Sequence, residues 1–318
     1  MRTAATSSLN EVTSPYKTLS VSQTARAACE KHPAFTALIE SFSALFSARG
    51  ELIESLADKL ASDVDCPVPA LQQDRLEQGV PVLSDSNLEW TAIYYPEIES
   101  SLFVYLENIG TLKPAVAKFK QAVTKGKITL PDMFRAVMNS NESMLRDSAL
   151  KVEIQPAFLF FITQQILACI LGAYATVHAE VLSKIFWREA YCPVCGSFPD
   201  ISVLQRPDID QSEFLAGGGG KKMMHCSCCS HQWHFRRGTC PACNNDEAGA
   251  IHYFHVEEQS AERVEYCKKC NIYLNNIDLR SSTSTPDLTI TPLTLIHLDM
   301  KAAQKKLTPL VHTLWNTF

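Results

Sequence analysis

The chain has 318 residues and a mass of 35.4 kDa, about twice a typical domain of about 150 residues. Apolar residues make up 46% and charged residues 20%, the balance of a globular protein, which excludes a disordered chain and a small disulfide-held one. The 29 basic and 34 acidic residues leave a net charge of -5, which argues against a general polyanion binder. Residues 1–20 are mixed and polar and show no secretory signal, so we expect a cytoplasmic protein.

The first half of the chain carries helical patterns and no alternating strand pattern. From Phe35 to Leu60 the apolar residues recur at steps of three and four, and Pro33 fits the first turn of that helix. A break rich in Asp, Pro and Gln follows at 62–83. Shorter helical patterns then cover 88–109, 114–124 and 131–138. The prediction is an all-helical domain over residues 1–183.

A long apolar segment lies near the end of this half. Between Glu153 and Glu180, 26 residues contain no Asp, Glu, Lys or Arg, which is long enough for a membrane span of about 20 residues. Gln164 and Gln165 interrupt the segment, however, and no basic cluster flanks it. The central helix of a bundle is also apolar on all sides, so we predict a buried helix, with a membrane span as the alternative.

Cysteine usage is the most informative feature of the second half. Nine of the twelve cysteines lie between Cys192 and Cys270, and eight of them form C-x-x-C pairs. In the reducing cytosol such pairs indicate metal or redox chemistry rather than structural disulfides. Two residues between the cysteines let both sulfurs face one ion, so two pairs complete one four-sulfur site. The predicted ligands of two sites are Cys192, Cys195, Cys226, Cys229, Cys240, Cys243, Cys267 and Cys270.

The intervals between the pairs favour pairing in chain order. Thirty residues separate Cys195 from Cys226, and twenty-three separate Cys243 from Cys267, each enough for a small ribbon of strands. A nested or interleaved arrangement and four pairs without metal remain as alternatives. Alternating stretches predict strands at 201–204, 232–235 and 251–256. Low-complexity stretches predict a flexible loop at 217–220 and a linker at 281–286.

The residue after each second cysteine is expected to have a positive φ. Gly196, Asn244 and Asn271 tolerate that conformation, whereas Ser230 is less suited to it. Zinc and iron both accept four thiolates, so the ligand type does not separate them. A closed four-sulfur site leaves no coordination position for a substrate, so neither site is expected to be hydrolytic.

Several other residues near the pairs have two interpretations. Arg236, Arg237, Lys268 and Lys269 could offset the negative charge of the thiolates or form an ordinary solvated surface. Cys228 is interpreted as a spectator, with a ligand or reactive role as the alternative. Trp233 and Phe235 share one strand face and are expected to pack in the core. A histidine could replace a thiolate; the five in this half are His225, His231, His234, His252 and His255.

The order and spacing of all four pairs resemble the formate dehydrogenase accessory protein family, FdhE. The similar segments are CPVCGSFPDISVLQ from Cys192, HCSCCSHQWHFRRGTCPACNN from His225, AIHYFHVEE from Ala250 and CKKCNIYL from Cys267. HPAF at 32–35 and the apolar helix before the first pair are similar too, so the resemblance covers about residues 15–279.

The resemblance implies a cytoplasmic factor that binds the catalytic subunit of formate dehydrogenase and assists its maturation before export or membrane assembly. It also implies a helical domain joined to two rubredoxin-like modules that bind iron through the eight paired cysteines, and it carries over no catalytic residue. The chain departs from the family at its end. Asp287 and Asp299 stand alone where the family commonly has an Asp-Asp pair, and the last residues are WNTF.

Three functions compete on these observations. The favoured one is an accessory protein, not an enzyme, with two iron ions, each bound by four cysteines, or zinc as the alternative metal. The second is a rubredoxin-like iron redox protein or sensor. The third, a nucleic-acid-binding zinc ribbon, is disfavoured because residues 190–280 hold nine basic and eleven acidic residues. No membrane span is expected, and a homodimer is left open.

The predicted fold is a multidomain α plus small β protein. A helical domain at 1–183 precedes a double rubredoxin-like or zinc-ribbon module at 184–280, divided into 184–237 and 238–280. Residues 281–318 form a linker and a C-terminal helical tail, which is expected to begin near Pro292.

Overall fold

The computed structural model describes residues 17–62, 68–206, 220–256 and 260–317. Most of the segment inspected for a secretory signal, Cys66 and most of the predicted loop at 217–220 lie outside these residues. Short 3-10 helices occur at Pro33–Phe35 and Leu88–Tyr94. The α-helices are α1 (Val21–Lys31), α2 (Thr36–Ser62), α3 (Gln73–Glu77), α4 (Tyr95–Asn108), α5 (Lys113–Thr124), α6 (Leu130–Met138), α7 (Glu142–Val152), α8 (Pro156–Val177), α9 (Ala179–Ser183), α10 (Thr291–Thr294) and α11 (Ile296–Gln304).

The apolar segment forms α8, the central helix of the N-terminal bundle. It packs most extensively against α2, and 78% of its most apolar window is buried inside the protein. Tyr174 is fully buried near the end of α8, and its hydroxyl donates a hydrogen bond to the carbonyl of Pro69 at 2.6 Å. Packing on all sides explains why α8 is apolar on all sides, so the prediction of a buried helix is confirmed.

The helices predicted for the first half are confirmed, with four omissions and one short strand at Lys17–Thr18. The helices α1, α7 and α9 are absent from the sequence prediction, and α3 lies within the predicted break. In α1 the buried stripe consists of small residues, which give a weak apolar pattern. A better signal was available in its capping box, in which Ser20 and Gln23 bond each other's backbone N–H groups.

The strands of the second half form one continuous sheet in the order β4-β3-β2-β7-β6-β5, with β9 pairing with β7. The remaining two strands, β1 and β8, pair with each other in parallel. The strands are β1 (Lys17–Thr18), β2 (Pro199–Leu204), β3 (Lys222–Cys226), β4 (Gln232–His234), β5 (Ile251–His255), β6 (Glu262–Cys267), β7 (Ile272–Asp278), β8 (Ser284–Thr285) and β9 (Thr308–Pro309).

The parallel pair of β2 and β7 joins the two cysteine-rich segments. Backbone pairing runs from Ile201 with Asn275 to Leu204 with Asp278, so strands from both segments share one sheet. The division of residues 184–280 into two modules, 184–237 and 238–280, stays a prediction. In space the two are joined edge to edge by main-chain hydrogen bonds.

The C-terminal residues fold back onto both parts of the protein. Helix α11 packs against β6 and β7 over a small second core that includes Val264, Ile277 and Leu298. Trp315 meets the aromatic rings of Phe42, Phe46 and Phe161 edge-on. The segment 281–286 was predicted as a linker, yet β8 lies within it and is held by hydrogen bonding to β1, before α1.

The main hydrophobic core extends from the helical region into the cysteine-rich region. The same continuous cluster contains residues of α2 and α8 together with Cys192, Cys226, Trp233 and Phe235. Trp233 and Phe235 are both buried, as expected from their positions on one strand face. The predicted fold class, an N-terminal helical domain followed by four-cysteine modules with a small β component, is confirmed.

Candidate metal centres

The eight paired cysteines assemble into two groups of four, in the order of the chain. Within each group the sulfur atoms all lie within 4.8 Å of one another, and neither group includes a histidine. Cluster 1 consists of Cys192, Cys195, Cys226 and Cys229, and cluster 2 consists of Cys240, Cys243, Cys267 and Cys270. This is the sequential arrangement that the intervals between the pairs favour.

The sulfur separations fit a metal ion better than a disulfide. The Sγ atoms of Cys195 and Cys226 are 3.4 Å apart, and those of Cys192 and Cys229 are 3.5 Å apart. In cluster 2, the Cys240–Cys270 and Cys243–Cys267 separations are 3.7 and 3.8 Å. Disulfide sulfurs lie about 2.05 Å apart. Four sulfurs at about 2.3 Å from a tetrahedral ion lie about 3.8 Å from one another. Each cluster can therefore hold one tetrahedral metal ion.

Each C-x-x-C pair makes the same backbone turn. The residue after the second cysteine donates its N–H to the carbonyl oxygen of the first cysteine, at 2.9 to 3.2 Å. That residue has a positive φ in all four turns, namely Gly196 at 79°, Ser230 at 59°, Asn244 at 54° and Asn271 at 57°. The predicted backbone conformation is thus present in each pair, including at the less suitable Ser230.

Replacement of Ser230 by asparagine should stabilise the protein. An L-residue in the left-handed region costs about 1–2 kcal/mol, and asparagine tolerates this region better than serine. We expect a gain of about 0.5 kcal/mol in the free energy of unfolding, measured by urea denaturation of the metal-loaded protein. Asn271→Ser, the reverse change in the fourth turn, is the matched control and should lose a similar amount. A loss of stability in Ser230→Asn would contradict the backbone argument.

Cluster 1 is buried between the helical bundle and the sheet. Its four cysteines are at most 3% exposed. The Gln164 side chain on α8 donates a hydrogen bond to the carbonyl oxygen of Ser227, inside the second pair. The backbone N–H groups of Val82 and Leu83 donate to the carbonyl oxygens of Pro193 and Val194, inside the first pair. The helical region therefore fixes both turns of this cluster.

The electrostatics of cluster 1 require a cation if all four sulfurs are to be thiolates. Burial raises the pKa of the Cys226 and Cys229 thiols well above the usual value. Hydrogen bonds from the neighbouring thiols lower the pKa of Cys195, so one thiolate forms at the expense of the others. Backbone N–H groups reach the sulfur of Cys226 from Cys228 and Cys229, each at 3.4 Å. A divalent ion bound by the four sulfurs would supply the remaining positive charge.

Cluster 2 lies nearer the surface. Cys240 and Cys267 are buried, whereas Cys243 and Cys270 are accessible to solvent. Burial opposes ionisation of Cys267, but backbone N–H groups of Cys270 and Lys269 outweigh it and lower its pKa to about 7. The two clusters share ligand chemistry and differ in their exposure.

The residues beside the clusters separate into surface and core groups. Arg236, Arg237, Lys268 and Lys269 are all exposed, as an ordinary solvated surface would have them. A buried cation that interacts electrostatically with Cys228, beside cluster 1, is Arg49 in the middle of α2, which the sequence interpretation did not identify. No local pattern marks Arg49, because it lies more than 140 residues before the first pair.

Cys228 is buried beside cluster 1 without completing it. Contact with Cys195 and burial raise the pKa of the Cys228 thiol well above its usual value. A protonated thiol is a poor nucleophile, which fits the spectator role.

Three comparisons with known proteins place this site in context. No protein-family model matches the chain. The protein FdhE homolog of Aquifex aeolicus strain VF5 is 26% identical over 263 residues, which cover 81% of this chain and 82% of that protein. The protein FdhE of Escherichia coli strain K12 / DH10B is 34% identical over 88 residues, 27% of this chain and 25% of that protein's length.

A solved structure shares the fold. The crystal structure of the FdhE protein from Pseudomonas aeruginosa matches with a TM-score of 0.59 at 18% identity, covering 93% of this chain and 94% of that one. The structural match therefore extends over nearly the whole chain. Together with the curated relatives and the four cysteine pairs, this match makes the chain similar to FdhE proteins in sequence and in fold and supports the resemblance to the FdhE family.

Proposed function

We propose that this chain is a cytoplasmic accessory protein that binds the catalytic subunit of a formate dehydrogenase and assists its assembly or activation before export. Its similarity to FdhE proteins supports an accessory role in formate dehydrogenase maturation. The eight paired cysteines are the proposed ligands of two metal ions, one in each cluster. Iron is the proposed metal, with zinc as the alternative.

The observation that carries this proposal is the closed donor set of both clusters. Four thiolates complete a tetrahedral shell, so a bound ion has no position left for a substrate. The contribution of the two ions would be structural: each would fix the two turns of its cluster in a small sheet region. The proposal is therefore a binding protein with no catalytic residue, whose shape depends on its metals.

The test is co-purification of the full, untagged chain with a tagged catalytic subunit of formate dehydrogenase, with iron and zinc quantified in the same sample. A complex that carries about two metal ions per chain is expected. When serine replaces both Cys192 and Cys195, we expect the protein to lose the cluster 1 ion and its binding to the catalytic subunit together. Cys29→Ser, a cysteine outside both clusters, is the matched control and should retain both. Partner binding that survives loss of the metal would contradict the structural role of cluster 1.

A rubredoxin-like redox protein is the second candidate, and the position of cluster 2 favours it. Cys243 and Cys270 are accessible to solvent, so an electron could reach an iron ion there without crossing the core. The iron-loaded protein would then lose its visible thiolate-to-iron absorption on reduction and regain it on oxidation. A colourless zinc-loaded protein that still supports formate dehydrogenase activation would eliminate this candidate.

A further inference from the structure

A third group of metal-ligating side chains lies outside both cysteine clusters. It consists of His32, Glu262 and His297, and one ligand atom of each lies within 4.8 Å of the other two. His32 directly follows α1, Glu262 begins β6, and His297 is the second residue of α11. Three separate parts of the chain therefore converge here, where the helical bundle, the sheet and the C-terminal tail meet.

The two histidines are poorly satisfied where they stand. Their rings stack with centroids 4.0 Å apart and an interplanar angle of 26°. The His297 side chain is only 10% exposed. The Nε2 atoms of both rings are buried and have no hydrogen-bond partner. The Nδ1 atom of His297 also has no partner. Because a buried polar atom without a partner is costly, these nitrogens indicate a missing partner, and the lone pair of an imidazole nitrogen can bind a metal ion.

The carboxylate of Glu262 is already oriented. Its Oε1 accepts a hydrogen bond from Lys31 Nζ at 2.6 Å, while its Oε2 lies 3.6 Å from His297 Nε2. One oxygen is therefore held by the lysine and the other faces the histidines. A charged group that holds a ligating carboxylate in this way is typical of the surroundings of metal sites.

We propose that His32, Glu262 and His297 form a third metal site, which binds a divalent first-row transition ion such as Zn²⁺. Two imidazole nitrogens with one carboxylate oxygen select such an ion over Mg²⁺ or Ca²⁺, which prefer oxygen ligands. Three protein ligands also leave a coordination position for water, unlike the closed cysteine clusters. The ion would connect α1, β6 and α11 and so hold the tail against both domains.

The test uses the full, untagged chain with both cysteine clusters already loaded, titrated with Zn²⁺ by calorimetry. The wild type should bind one further ion per chain. His297→Gln and Glu262→Gln each remove one metal ligand and should lower the affinity for that ion by about tenfold or more. His312→Gln is the matched control, because it makes the same substitution at an exposed histidine and should bind as the wild type does.

Cobalt distinguishes this site from the thiolates. A third Co²⁺ should leave the sulfur-to-cobalt charge-transfer absorption unchanged and should produce hyperfine-shifted imidazole proton signals in the NMR spectrum of the wild type. That measurement needs no variant, so it stands if a substitution prevents folding. Wild-type protein that takes up no third ion, or His297→Gln that binds it as tightly as His312→Gln does, would overturn the proposal.

Discussion

Replacement of Cys226 by serine should remove the ion from cluster 1 and destabilise the helical region with it. Cys226 is 1% exposed and belongs to the same apolar core as α2 and α8. Metal binding to a structural four-cysteine site is folding free energy, because the site does not exist in the unfolded chain. We expect at least about 3–5 kcal/mol to be lost from the free energy of unfolding, enough to unfold much of a marginally stable protein.

The same change in cluster 2 should have a different result. Cys270 is accessible to solvent and lies outside the main core, so Cys270→Ser should lose the cluster 2 ion and leave the helices folded. Helix melting followed by circular dichroism, with metal content determined in the same samples, separates the two cases. Cys29→Ser serves as a control for the substitution itself. Equal helix melting in Cys226→Ser and Cys270→Ser would contradict the view that cluster 1 is part of the bundle core.

This contrast depends on contacts that the sequence could not predict. Spacing alone identifies the pairs, since two residues between cysteines set the reach of both sulfurs, and the resemblance to a known family adds the ligand set. Neither reveals that Gln164 on α8 bonds to Ser227 within the second pair, because these residues are 63 positions apart. Local patterns carry helix periods and turn chemistry, whereas a contact between distant elements is decided by how they pack.

The group of two histidines and one glutamate illustrates the same limit. In the sequence, His32 is distinguished only as part of HPAF at 32–35, and Glu262 and His297 show no metal-ligand spacing. Their convergence depends on β6 and α11 both reaching the end of α1. The strands β3, β6 and β7 were also missed, because two of them are buried on both faces and lack a clean alternation of apolar and polar residues.

Arg49 should stabilise the protein more strongly when cluster 1 holds its metal than when it does not. Its side chain is 6% exposed, and its Nη1 donates a hydrogen bond to Gln165 Oε1 at 2.7 Å. Its guanidinium also lies over the ring of Phe46, 4.6 Å from the centroid. In the part of the chain that the structure describes, no ion pair to a carboxylate includes Arg49, so its charge is compensated only at longer range.

The long-range partners of Arg49 include the cysteine region. Burial lowers the pKa of Arg49, and nearby groups, including Cys169, Asp200 and Cys228, oppose that shift. A divalent ion with four thiolates carries a net charge of about minus two, and a buried guanidinium close to it offsets part of that charge. Without the ion the thiols are largely protonated, and the same guanidinium is a buried charge without compensation.

The Arg49→Met variant therefore has an effect whose size depends on the metal. Methionine retains an apolar stem but removes the charge and the donor to Gln165. We expect the metal-loaded protein to lose about 1–3 kcal/mol in the free energy of unfolding and the affinity of cluster 1 to fall by about tenfold, measured by chelator competition. The metal-free protein should lose less. Arg236→Met, at an exposed position, is the matched control and should change neither quantity. If Arg236→Met lowered the metal affinity of cluster 1 more than Arg49→Met does, the exposed residues would compensate the charge of the cluster. The buried arginine would then stabilise only the packing of the bundle core.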